Sequence, residues 1–133
     1  MSLESALGDL ANQVGAVAVG LWRRGGDHLV QVCFVSDPDL PEPVGVAFAL
    51  ATRIVPLTNG ELGIVKAAML GEVAFSRAVD LPPDSGSGYW LRQFGASCSV
   101  AVPVGDQVLS VALAETPDDL NDLILRLREH LHV

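Results

Sequence analysis

Two apolar runs in the first third of the chain decide what kind of sheet it can build. Ala16 to Trp22 is apolar at nearly every position, and so is His28 to Val35, with Arg23-Arg24-Gly25-Gly26-Asp27 between them. Two strands joined by a hairpin at the Gly-Gly pair account for the pattern. A strand with one wet side alternates apolar and polar residues. These strands do not, so their sheet must be covered on both faces, and a sandwich with one wet face per sheet is disfavoured. The rest of the chain has to supply two covering layers.

One layer is readable at the ends. Residues 2 to 14 place Leu3, Leu7, Leu10 and Val14 at helical spacing behind Ser2, a fitting N-cap, with Glu4 in the first turn. Near the other end, Thr116-Pro117-Asp118-Asp119 opens a helix with Thr as cap, Pro in the first turn and acids against the positive end of the dipole. Leu120, Leu123, Ile124, Leu127 and Leu131 form its apolar stripe. Just before it, Ser97 to Val104, a Gly105-Asp106 turn and Gln107 to Ala114 make a second hairpin.

The middle of the chain is less regular. Residues 36 to 43 (SDPDLPEP) read as a solvated loop, and Val44 to Val55 as one strand or as a short helix followed by a strand. Glu61 to Leu70 has helical spacing closed by Gly71, and Glu72 to Val79 reads as a strand. Asp80 to Gly88 carries turn chemistry throughout, and Tyr89 to Phe94 is assigned one helical turn. The expected fold is a single α+β domain over residues 1–133, with a mainly antiparallel sheet of about five to six strands. The terminal helices pack together on one face, with Leu7 and Leu10 near Leu123 and Leu127. A short helix and loops cover the other.

A chain of 133 residues, 50% hydrophobic, has material for a sizeable core. Eight Lys and Arg against sixteen Asp and Glu give a net charge of −8, which repels phosphate backbones. Nucleic acid and anionic membranes are therefore not expected partners. The longest apolar stretches are about half of what a bilayer crossing needs, and nothing at the N-terminus reads as a signal peptide. Cys33 and Cys98 have neither zinc-site nor disulfide-framework spacing, which fits a cytoplasmic setting. No metal or cofactor is expected, since no ligand spacing, phosphate loop or dinucleotide fingerprint occurs.

Three stretches resemble the GAF domain, a small-molecule sensor module: Ser97 to Val104 with its Val-Pro ending, Gly105 and the strand Val108 to Ala114; Gly63 to Val73 with its Gly-Glu turn; and the opening hairpin Ala16 to Val35. The resemblance spans roughly residues 2 to 132 and implies a sensory role and the fold expected above. The chain lacks the Asn-Lys-Phe-Asp-Glu run of cyclic-nucleotide-binding members and the cysteine beside a histidine of bilin-attaching ones. It also lacks the clustered loop cysteines of free-methionine-sulfoxide reductases, so no functional residue transfers by motif.

Other candidate sites read better as structure. Gly95-Ala96-Ser97-Cys98-Ser99 has Ser99 where a nucleophile elbow needs its second glycine. Cys98 alternates with Val100 and Val102 and belongs with them in the core. Asp84 to Gly88 is a lone G-x-G loop, Asp37 and Asp39 sit among prolines without a calcium-loop glycine, and Asp118, Asp119 and Asp122 suit a helix dipole. His130 and His132 at i and i+2 point apart on a helix.

Tyr89, Trp90, Arg92 and Phe94 are different, because they gather scarce aromatics beside an arginine, a common way to close a pocket over a sheet. Arg53, Tyr89, Trp90, Arg92, Ser97 and Ser99 are the expected ligand-binding residues, with the two arginines favouring an anionic ligand. The chain is accordingly expected to be a non-enzymatic sensory or interaction module that dimerises through its terminal helices and works with an output protein. A ligand-free interaction scaffold, roadblock-like or acidic-chaperone-like, is the alternative, and a redox enzyme using Cys98 is a third.

Overall fold

The computed structural model describes residues 2–60 and 62–131, with the backbone alone at His130 and Leu131. Glu61, expected to open the second helix, and His132 lie outside the described residues, as do the side chains of His130 and Leu131. Ser2 caps α1 (Leu3–Val14), its hydroxyl accepting from the Ser5 amide at 3.1 Å, and Gly15 ends the helix in a left-handed conformation.

Both expected hairpins form. Strands β1 (Ala16–Gly25) and β2 (His28–Ser36) turn through Gly26-Asp27, and β5 (Cys98–Val104) and β6 (Gln107–Leu113) turn through Gly105-Asp106. In each turn only the glycine has a positive φ, 67° at Gly26 and 59° at Gly105, the arrangement of a II′ turn that matches strand twist. With the short edge strands β3 (Ile54–Pro56) and β4 (Ala74–Arg77), they make one antiparallel sheet in the order β3-β2-β1-β6-β5-β4.

The terminal helices α1 and α5 (Leu120–Leu131) share one face. Leu7, Leu10, Leu123 and Leu127 are buried in one cluster with Val19 and Leu21 of β1, Cys98, Val100 and Val102 of β5, and Leu109 and Val111 of β6. The cap of α5 is Asp119, whose carboxylate accepts from the Asp122 amide at 3.0 Å, and not Thr116. An Asp at that position both caps the helix and complements its dipole.

The second face differs from the expectation of one short helix and loops. Three helices cover it: α2 (Glu42–Ala51), α3 (Gly63–Leu70) and α4 (Gly86–Phe94). Val44 to Val55 is thus a helix and then a strand. The loop assigned to Asp80–Gly88 ends at Ser85, and the single helical turn at Tyr89–Phe94 is a nine-residue helix. The strand assigned to Glu72–Val79 is only β4, because Ala78–Asp80 tightens into a 3-10 turn. Helix α3 crosses beneath the sheet between the two edges, linking β3 to β4.

Candidate functional site

On the second face the central strands carry small side chains. Ala18 and Gly20 of β1, Ser99 and Ala101 of β5, and Ser110 and Ala112 of β6 alternate with the large residues that meet the terminal helices. Over this floor stand aromatic rings from the helices. Phe48 of α2 lies 5.2 Å from Trp90 and 5.1 Å from Phe94 of α4, 5.1 Å from Phe34 of β2 and 6.2 Å from Trp22 of β1, measured between ring centroids. Small floor and rigid roof do not interdigitate fully, and a partly open cavity of about 50 Å3 remains between them. That is room for about three or four waters. Behind Phe48 and Phe94 lies a second void of about 30 Å3, bounded also by Trp22, Phe34 and Gly20.

The walls are fixed by hydrogen bonds from the helices to the sheet. Trp22 Nε1–H donates to the Thr52 carbonyl at 2.8 Å, and Gln31 donates its amide to the Ala49 carbonyl and the Thr52 hydroxyl. These clamp the C-terminal end of α2. Ser87, in the first turn of α4, accepts from the Gly63 amide at 3.1 Å and ties α4 to α3. Gly20 lets the Trp22 indole lie along the sheet, since a Cβ there would collide with the ring.

Of the six expected ligand-binding residues, the structure brings Trp90 and Ser99 to the cavity, together with Phe48, Thr52, Ser87 and Ser110. Tyr89 stands outside, edge-on to Trp90 with centroids 5.0 Å apart. Ser97 sits just before β5, its hydroxyl 3.5 Å from both the Leu113 carbonyl and the Thr116 hydroxyl. Arg53 is exposed beside β3. Arg92 donates to the Gly88 carbonyl at 3.0 Å and the Ala78 carbonyl at 2.8 Å, so its guanidinium is spent on holding α4 to the 3-10 turn. No arginine or lysine lines the cavity among the described residues. Its polar groups are hydroxyls, and Arg92 instead borders an open outer cleft of about 410 Å3 with Asp37 and Asp39. Sequence reasoning missed Ser110. The signal was there: in β6, Val108, Ser110 and Ala112 share a face by period 2, as Ser99 and Ala101 do in β5.

Both cysteines are free and lie on the terminal-helix face, across the sheet from the cavity. Burial pushes the Cys98 thiol up from its ordinary 9.0, although the Thr116 and Ser97 hydroxyls pull the other way. Below 9.0 the folded and unfolded chains both keep the proton; above it the unfolded chain loses its proton first. Stability is therefore expected to fall as pH rises past 9.0, and denaturant titrations across that range should show a smaller fall in Cys98→Ala. An identical slope in the variant would refute the assignment. Among the described residues no three His, Cys, Asp or Glu side chains gather as a metal site requires, and no helix is long and apolar enough to cross a membrane.

Neither a protein-family model nor a curated protein matches the sequence. Solved structures do match. The GAF domain region of a membrane protein from Geobacter sulfurreducens superposes with a TM-score of 0.69 at 15% identity, over 97% of this chain and 84% of that one. The GAF domain of a two-component sensor histidine kinase from Bacillus halodurans gives 0.65 at 13% identity, over 98% and 88%. A type II free methionine-R-sulfoxide reductase from Thermoplasma acidophilum gives 0.65 at 12% identity, over 96% and 82%.

The last of these is an enzyme. It corrects the expectation of a non-enzymatic chain, which rested on the lack of a catalytic motif: this architecture also carries catalysis, and enzyme activity is compatible with it. At such identities the likeness establishes the architecture, and the six-stranded antiparallel sheet between paired terminal helices and a three-helix cover has the GAF fold.

Proposed function

We propose that this chain is a sensory module whose cavity takes a small neutral molecule with an apolar body and one hydrogen-bonding group. The observation that carries the reading is the floor of small residues under an aromatic roof, with the Ser99 and Ser110 hydroxyls at its base and no cation among the described residues that line it. A site of this composition favours molecules that bring no charge to desolvate. Structural neighbours of the same architecture include a GAF domain of a two-component sensor histidine kinase and one of a membrane protein, which supports a sensory role. With the arginines turned away, an anionic ligand loses its support.

A thermal-shift series tests this. Small neutral alcohols and amides should raise the melting temperature in a saturable way, following RT ln(1 + [L]/Kd), while carboxylates and phosphates at equal concentration should not. Ser110→Val, which fills the floor, should abolish the shift. Stabilisation by carboxylates alone, or shifts untouched by Ser110→Val, would overturn the reading.

The signal passes, on this reading, through the terminal helices to a second copy and to an output protein. Leu3 of α1 and Leu125 of α5 are exposed on the side away from the sheet, 43% and 59% respectively, where an isologous pairing would bury them. Light scattering at micromolar concentration should give twice 14.0 kDa. A monomer mass throughout would remove the dimer.

A further inference from the structure

We propose that the Phe48 ring is the resident occupant of an aromatic seat, and that the ring of a small phenol-like molecule takes this seat when Phe48 swings out. The inference deepens the reading of the cavity as a ligand site and rests on it. Four rings surround Phe48. Trp22, Trp90 and Phe94 meet it at 89°, 79° and 68°, and Phe34 at 44°. Edge-to-face approaches of this kind are the favourable geometry for an aromatic ring, whichever molecule owns it. The seat is therefore built for a ring and not for Phe48 in particular.

Two further observations make Phe48 displaceable. Phe48 is only half-buried, at the margin of the ring cluster, whereas Trp22 is 1% exposed. The backbone that carries it is held independently, because the bonds of Trp22 and Gln31 grip Ala49 and Thr52 and not the ring. The ring can leave while α2 stays.

The two voids share four bordering residues, Phe48, Phe94, Ser110 and Ala112. Removing the ring joins them into a site of single-ring size. Ser110, which faces both, then supplies a hydroxyl to a polar substituent, which selects phenol over toluene. Competition with Phe48 weakens the apparent affinity by the fraction of time the seat is vacant.

Ligand-observed NMR with phenol, toluene and 1-propanol tests this on the intact chain, on Ser110→Ala and on Phe48→Leu; Phe48→Ala is the more open variant, and Phe48→Leu guards against its failing to fold. Phenol should bind the unaltered protein and bind Phe48→Leu about tenfold more tightly, because a leucine competes less well for an aromatic seat than the ring it replaces. Ser110→Ala should weaken phenol by about threefold to tenfold and leave toluene unchanged. Binding of 1-propanol but not phenol by the unaltered protein, or phenol affinity unchanged in Phe48→Leu, would overturn the seat while leaving the cavity as a ligand site. Binding of neither probe by any of these proteins would overturn both.

Discussion

Replacing Trp22 by alanine is expected to destabilise the protein by about 3–5 kcal/mol, the range for deleting a large buried aromatic. The indole is 1% exposed, packs edge-on to Phe48, and donates its N–H to the Thr52 carbonyl at the end of α2. Its loss opens a void over Gly20, strands a carbonyl and releases one of the clamps on α2. Trp22→Phe keeps much of the burial and loses the hydrogen bond, so it should cost about 1–2 kcal/mol. Denaturant titration separates the two. A loss under about 1 kcal/mol in Trp22→Ala would mean that α2 is held without the indole.

Gly88→Ala is expected to cost about 3 kcal/mol, at the upper end for forcing atoms into a packed interior. A Cβ at this position would strike the Pro82 carbonyl oxygen and come within 2.9 Å of the Leu81 Cβ. The usual escape, a shift of the helix, is blocked because Arg92 and Ser87 bind α4 to the 3-10 turn and to α3. Gly8→Ala is the control. It sits inside α1 with nothing within 4 Å of the added methyl, and should stabilise by about 0.5–1 kcal/mol through helix propensity alone. A Gly88→Ala protein melting with the unaltered one would show that the 80–83 segment yields.

These same residues explain what could be read from the chain and what could not. The hairpins and terminal helices were legible because their signals are local: a Gly-Asp turn between apolar runs, Ser2 ahead of a leucine stripe. Helix α2 reads EPVGVAFALA and is apolar all round, so periodicity could not choose between helix and strand. Helix α4 opens Gly-Ser-Gly, among the poorest of helix formers, and its Ser85 cap makes no side-chain bond. Those residues serve packing: Gly88 allows contact with Pro82, and Ser87 accepts from Gly63. Tertiary contacts overrode local preference where the cavity is built. The arginines misled for a related reason, since charge in a sequence says nothing about which carbonyls will consume it. Arg92 is spent on Gly88 and Ala78.

The pairing of β1 with β6 has a consequence for the order in which the protein can be made. The centre of the sheet joins a strand that leaves the ribosome before all the others to one completed last, at Leu113. Until then the β1–β2 hairpin presents an open, apolar edge at Val19 and Leu21, and α1 has half a sheet to rest on. Nascent chains of this topology keep that edge unpaired until β6 has been made and are exposed to mispairing with one another. Once β6 docks, the free edges among the described residues are the three residues of β3 and the four of β4, too short to template a stranger.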